Sequence, residues 1–185
     1  MIAMMPDDGT VDRAALATDL ERARVEFHRL LAEADRGDVW AEPTRGTRWT
    51  NEQLLFHMVF GYMIVQRLLV LVRVLGRLPD PFSRAFARVL NAATASFHTI
   101  NYYGSCAAAL VYNRRRMGAK LDRVIASLQR ELAREHNGGF GRGMHYPTRW
   151  DPFFNDYMTV EDVYRYPGQH FAFHAHQLTL NSAAH

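Results

Sequence analysis

Three histidines have the residue type and spacing needed to bind one metal ion. His170 and His174 are four residues apart near the end of the sequence, and His57 lies in an apolar segment far upstream. Helical residues four positions apart differ by about 40° around the axis and by about 6 Å along it, so the late pair projects from one face. Three imidazoles leave positions on a divalent ion open for water or substrate, as in catalytic zinc sites. The pattern therefore predicts a metalloenzyme.

Three further residues are candidates for contacts at this site, and a fourth nearby histidine is not. His176 is rotated by about 240° from His170 on the same helix, so we exclude it from the ligand set. Gln177 returns to within about 20° of His170, which makes it a candidate partner of the ligands or a substrate contact. Tyr166 lies one turn before His170, where it supplies a phenol to the site or packs as an ordinary aromatic residue. His145 is a candidate fourth or transient ligand.

Length and composition indicate one soluble globular domain spanning residues 1–185. The chain has 185 residues, of which 48% are hydrophobic and 22% charged, and this length suits one core rather than two. The single cysteine, Cys106, excludes an intramolecular disulfide and any multi-cysteine metal site within one chain. The first residues lack a basic region followed by a long apolar stretch, so we expect no secretion signal and a cytoplasmic protein.

Charge and hydropathy argue against nucleic-acid and membrane functions. The formal net charge is +3, and no base-stacking motif or recognition helix accompanies it. Only residues 54–75 approach the length of a membrane span, and Arg67 and Arg73 within them would each cost about 2.5–3.5 kcal/mol at the centre of a bilayer. We expect a buried central helix, whose apolarity on nearly every side also permits a homodimer interface. The expected partner is a small-molecule substrate.

Hydrophobic periodicity predicts an all-α protein. Helical segments are expected over residues 11–35, from Thr50 to a stop at Leu78-Pro79-Asp80-Pro81, over residues 82–95, from Ser105 to about Glu135, and from Thr159 onwards. Thr50 with Gln53 matches a capping box, and Thr159 with Asp162 resembles another helix start. We expect a break in helical structure over residues 97–104. The fold class is thus a four-helix bundle with an additional helical segment and a long aromatic, glycine-rich loop before the last helix.

Two features near the proposed ligands have more than one interpretation. Gly61 lies one turn after His57, although a glycine inside a helix costs about 0.8–1 kcal/mol relative to alanine. It leaves room for substrate or marks a close helix crossing. The loop over residues 138–158 is rich in glycine and aromatic residues and leads directly into the helix that carries the late histidine pair. It is a lid over the metal or a plug at the end of the bundle.

The histidines stand in a pattern that resembles the DinB-like (YfiT-like) superfamily of metal-binding four-helix bundles. The early half is Trp49-Thr50 followed by Leu54-Leu55 and His57, and the late half is His170-x-x-x-His174-x-x-Gln177-Leu178. The resemblance spans most of the chain. It implies that His57, His170 and His174 bind zinc, nickel, manganese or iron.

The same resemblance implies a set of activities. Members include S-transferases and isomerases that use small thiols such as mycothiol or bacillithiol, metal-dependent hydrolases, and proteins without known activity. We expect a thiol-dependent S-transferase or isomerase, and Lys120 as the only lysine hints at a high-GC bacterial source in which mycothiol is the thiol. The alternatives are a hydrolase that uses a metal-bound water, a non-catalytic metal-binding scaffold, and a three-histidine iron oxygenase.

Overall fold

The computed structural model describes residues 11–180, which are mostly helical. In chain order the elements are α1 (Arg13–Gly37), α2 (Asn51–Leu75), α3 (Asp80–Ala92), α4 (Thr94–Val111), α5 (Met117–Arg134), β1 (Gly143–His145), β2 (Tyr157–Thr159) and α6 (Val160–Ala175). A short 3-10 turn at Asn137–Gly139 follows α5. These elements confirm the all-α fold class.

Four of the helices form a bundle around one core. α2 packs against α5 and α6, and α1 packs against the same two helices, so the four close into a ring. Their inward faces carry fully buried side chains, including Phe27 of α1, Leu69 of α2 and Leu121 of α5. Burying an apolar side chain of this size contributes about 1.5–3 kcal/mol. α3 and α4 are the additional helical segment, with α4 packed on α2 and α3 packed on β1.

The two helices that carry the histidines begin at capping boxes, as the sequence predicts. At the start of α2, the Gln53 amide donates to the Thr50 hydroxyl, and the Thr50 amide donates to the Gln53 side chain. Thr159 and Asp162 make the same reciprocal pair at the start of α6. Such caps contribute about 1 kcal/mol each and fix where a helix begins. They therefore fix the positions along each helix at which the histidines project.

The expected helix boundary at Ser105 is wrong. α4 runs without a break through the aromatic stretch at residues 97–104 and ends at Val111, and the interruption before α5 falls at residues 112–116. Ser105 is consequently a buried residue inside α4 rather than the cap of a new helix. The long loop also contains a small antiparallel hairpin, in which Gly143 faces Thr159 and His145 faces Tyr157.

α2 occupies the centre of the fold. It is the one helix of the described chain that is long and apolar enough to cross a membrane, by length and composition alone. Here it packs against α4, α5 and α6. Its Arg73 forms ion pairs with Glu131 and Glu135 at 3.1 and 2.7 Å. These contacts agree with the expectation of a buried central helix.

Candidate metal centre

The packing of α2 on α6 brings the three histidines together. The ring centroids of His57 and His170 lie 5.1 Å apart, those of His57 and His174 lie 4.9 Å apart, and those of the late pair lie 4.5 Å apart. One ring nitrogen from each residue lies within 4.8 Å of the other two. A single transition-metal ion can reach all three from between them. The predicted convergence of the early histidine with the late pair is confirmed.

His57 is held from two sides. Its ring stacks on Trp49, with a centroid distance of 4.4 Å, and its Nδ1 lies 3.1 Å from the hydroxyl of the buried Ser105. A histidine that donates Nδ1–H to an oxygen keeps its Nε2 lone pair free for a metal. Ser105 therefore orients the ligand from α4, which is a role that the predicted boundary at this residue did not anticipate.

His174 has a similar partner on its own side of the bundle. Its Nδ1 lies 2.7 Å from the Gln177 side-chain oxygen, so the ring donates this proton and leaves Nε2 free. The sequence placed Gln177 on the ligand face as a partner of the ligands or a substrate contact, and the structure places it as the partner of His174. His176 ends α6 on another face and is not part of the cluster.

Gly61 makes room for the ring of His170. A Cβ atom added at Gly61 would lie 2.8 Å from His170 Nδ1, closer than real Cβ contacts, and 3.0 Å from His170 Cε1. Glycine lowers the helix propensity of α2 at this position, but it allows the His170 ring to lie close to the α2 backbone. Neither interpretation from the sequence had identified a ligand side chain as the occupant of this space.

Burial keeps the three imidazoles neutral. Desolvation, with a smaller contribution from His174, lowers the pKa of His57 from 6.5 to about 3. Burial also lowers the pKa of His170 well below its ordinary value and lowers that of His174. Because a metal binds the neutral imidazole, this environment fits a divalent ion, with three lone pairs available at neutral pH.

These pKa shifts predict that the metal-free protein loses stability in mild acid. Below pH 6.5 the unfolded chain protonates His57, whereas the folded chain resists this down to about pH 3, so the free energy of unfolding falls as the pH falls. Between pH 7.5 and 5.5 this residue alone accounts for a loss of about 1.4 kcal/mol. Urea denaturation at both pH values is expected to show a loss smaller by that amount in His57→Gln. If wild-type protein and His57→Gln lost the same free energy of unfolding between these pH values, the lowered pKa of His57 would be contradicted.

A carboxylate that the helices do not provide lies beside the cluster. Asp151, in the long loop, has Oδ2 3.8 Å from His170 Nε2, and the same atom accepts a hydrogen bond from the Tyr166 hydroxyl at 2.8 Å. Burial, and then the charge of Asp151, raise the pKa of Tyr166, which stays a neutral donor. The sequence singled out Tyr166 for this region but not Asp151. The structure thus places an oriented carboxylate next to the three imidazoles.

The cluster opens into a cavity of about 390 Å³ with mostly apolar walls. α2 contributes residues from His57 to Leu71, and the other walls come from α3, α4, α6 and the long loop. Aromatic side chains that line it include Phe60, Phe86, Phe97, Trp150, Phe153, Phe154 and Phe173. A volume of this size falls in the range of small-molecule sites. The three histidines therefore line a space suited to an organic substrate.

The long loop forms one wall of this cavity and is attached to the additional helices. Trp150 donates its indole N–H to the Leu90 carbonyl at 2.7 Å and stacks on Phe97 with a centroid distance of 4.0 Å. The Arg149 amide donates to the Asn91 side chain. The loop thus forms a wall of the cavity beside the histidines and is fixed to α3 and α4.

His145 lies outside the cluster. It is buried in strand β1, where its Nδ1 lies 3.0 Å from Asp156 and its ring packs edge-on against Tyr157. Among the described residues, the group that can hold a metal consists of the three histidines alone. The structure therefore gives His145 a carboxylate partner in place of the role of fourth ligand suggested from the sequence.

Comparison with known families decides the affiliation of the chain. The sequence profile of the DinB superfamily matches residues 19–178, a range that includes all three histidines and both helices that carry them. The chain belongs to the DinB superfamily. Searches of curated proteins and of solved structures found no match. In this DinB protein, the buried histidine cluster has the geometry to hold a metal ion.

Proposed function

We propose that this DinB superfamily protein is a metal-dependent enzyme that uses a small thiol to transfer or isomerise a largely apolar substrate. The observation that carries the proposal is the position of the cluster, with three neutral imidazoles at the wall of a mostly apolar cavity. A divalent ion held by His57, His170 and His174 would supply Lewis-acid chemistry by favouring the ionised form of a thiol or of water. Zinc, nickel, manganese and iron all suit such ligands.

The thiol has to come from another molecule. Cys106, the only cysteine, lies on α4 and is not among the residues that line the cavity. A second, shallower depression shares Trp49 and Asn101 with the cavity and adds polar groups from Arg48, Thr47 and the neighbouring helix. It offers a place for the hydrophilic body of a thiol such as mycothiol or bacillithiol, while the apolar cavity holds the electrophile.

The reaction is balanced without a further reagent. The thiol loses its proton to solvent, and its sulfur electron pair forms a bond to an electrophilic carbon. In a transferase the electron pair of the broken bond leaves with the departing group, and in an isomerase the thiol is expelled again after the substrate has rearranged. The mostly apolar walls of the cavity hold the electrophile near the histidines, which favours its reaction with the bound thiol.

Hydrolysis is the second candidate because of Asp151. A carboxylate 3.8 Å from a proposed ligand and fixed by the Tyr166 hydroxyl can accept a hydrogen bond from water and orient it toward a substrate. Among the residues that line the cavity, neither α2 nor α6 supplies a carboxylate. The loop supplies one instead, so ester and amide substrates belong in the test.

The cellular setting is part of the same proposal. We propose a single domain that acts on small molecules in the cytoplasm of a bacterium, without nucleic-acid or membrane partners, and that can form a homodimer. The ion-paired central helix α2 supports a folded domain with α2 in its core. Fractionation of source cells and sedimentation of the purified protein test the compartment and the oligomeric state.

A thiol-addition assay tests the reaction. Zinc-loaded protein is mixed with 1-chloro-2,4-dinitrobenzene and either mycothiol or bacillithiol, and p-nitrophenyl esters are tested without thiol. We expect metal-dependent thioether formation to be at least about 100-fold faster with wild-type protein than with His57→Ala. A correctly positioned catalytic group typically accelerates a reaction by at least this factor. The His145→Ala variant should keep the rate. Ester turnover without thiol would favour the hydrolase. If wild-type protein turned over neither substrate class faster than His57→Ala, both the transferase and the hydrolase proposals would be contradicted.

A further inference from the structure

Within residues 11–180, the walls of the cavity contain one charged side chain that forms no ion pair. Arg67 and Asp151 are the two charged residues that line it among residues 11–180. Asp151 lies beside His170 and accepts the Tyr166 hydroxyl, whereas no carboxylate of the described chain forms an ion pair with Arg67. Arg73, six residues further along α2, has two glutamate partners. The cation at the cavity is therefore free to bind an anion from outside the chain.

Arg67 and the histidine cluster lie at separate positions along the cavity. His57 and Arg67 are ten residues apart on α2, which corresponds to about 15 Å along the helix axis. Between them Phe60, Ile64 and the Cβ-free Gly61 face the cavity, so the wall that joins the two ends is apolar. A ligand that reaches both ends has to be elongated, with an apolar middle.

The two charges give the ligand a direction. In the metal-free protein Asp151 repels an anion at the histidine end, whereas Arg67 attracts one at the other end, where the arginine is exposed at the edge of the apolar wall. Electrostatic attraction is stronger beside low-dielectric walls than in open water, and a guanidinium binds a carboxylate through two parallel hydrogen bonds. The charge pattern therefore favours a ligand whose anionic group lies at Arg67 and whose apolar end lies at the cluster.

We infer that the substrate of this site is an elongated apolar acid, held by Arg67 through its anionic group and presented to the histidine cluster by its other end. The inference rests on the proposed function, since it describes the molecule on which the metal site acts. It makes Arg67 a specificity-determining residue, and it implies that neutral or cationic molecules of the same shape bind less tightly.

Binding of three matched ligands tests the inference. Octanoate, 1-octanol and octylamine share an apolar chain and differ in charge, and their binding to metal-free protein is followed by the fluorescence of Trp49 and Trp150, which line the cavity. Metal-free protein removes coordination to an ion as a source of preference. We expect octanoate to bind about fivefold to tenfold more tightly than octanol, and octylamine to bind most weakly.

Two charge-removing variants complete the experiment. Arg67→Gln should bring octanoate and octanol within about twofold of each other. Arg115→Gln removes an exposed arginine that lies outside the cavity lining, and it should keep the wild-type preference. The inference is overturned if none of the three ligands binds, if wild-type protein does not prefer octanoate, or if the preference survives in Arg67→Gln. Loss of metal-dependent turnover with the preference intact would overturn the proposed function alone.

Discussion

Replacement of His170 with alanine is expected to weaken zinc binding by more than about 100-fold while the bundle stays folded. Loss of even a hydrogen-bond partner of a metal ligand typically costs 10–100-fold in affinity, and loss of one of three ligands should cost more. The two remaining histidines cannot enclose the ion. Because His57 and His174 belong to the same cluster, alanine at either position should have an effect of the same size. Competition with a chromophoric chelator measures the affinity.

His145 provides the matched control for this series. It is buried like the three cluster histidines, yet it pairs with Asp156 outside the cluster, so His145→Ala removes a buried imidazole without removing a ligand. Zinc at 100 times its dissociation constant should stabilise wild-type protein and this control by about 2.7 kcal/mol, and should not stabilise His170→Ala. Equal zinc affinity in His145→Ala and His170→Ala would show that the cluster is not the binding site.

Gly61→Ala is expected to lower metal affinity by about 10–100-fold without removing any ligand. The added methyl group would lie 2.8 Å from His170 Nδ1, so the buried ring has to turn away from its position. In a free helix the same substitution would stabilise by about 0.8–1.0 kcal/mol, because alanine has the higher helix propensity. A lower metal affinity at this position therefore reports displacement of the ligand, and chelator competition measures it.

Gly104→Ala separates the gain in helix propensity from the displacement of a neighbouring side chain. Gly104 is exposed on α4, and a Cβ atom added there meets nothing within 4 Å. This variant should be slightly more stable than wild type, with unchanged metal affinity. If Gly61→Ala behaved in the same way, the glycine would have no part in positioning His170, and the account of this contact would be wrong.

Much of the fold and of the cluster can be predicted from local sequence patterns. The capping residues at Thr50 and Thr159 locate the starts of α2 and α6, and the spacing of His170 and His174 places both on one face. These signals depend on neighbouring residues along one helix. The contact of that face with His57 is not local, and its prediction relied on the second motif half and on the family resemblance.

Ser105 shows how tertiary packing overrides local preference. The stretch before it contains aromatic residues, Asn101 and Gly104, all weaker helix formers than alanine, and this composition favoured a break. In the folded chain α4 packs on α2, and the buried Ser105 hydroxyl meets the His57 ring. The energy that maintains the helix comes from these contacts, which no pattern within α4 reveals.

Asp151 was missed for a different reason. It lies in an irregular loop, where no helical period relates its position to the ligand faces, and only the folded path of the loop brings it to His170. The sequence does contain one indication: the long aromatic loop that holds Asp151 leads directly into the helix that carries His170 and His174. A hydrogen bond from Tyr166 then fixes the carboxylate, so one predicted candidate leads to the residue that was not predicted.

X-ray absorption at the zinc edge of the zinc-loaded wild-type protein tests the central claim most directly. We expect one bound ion per chain, with three imidazole nitrogens at about 2.0–2.1 Å and a remaining light-atom ligand from solvent or a carboxylate. His57→Ala should lose the bound ion. An ion that does not bind at all, or one surrounded by oxygen ligands without imidazole scattering, would contradict the account.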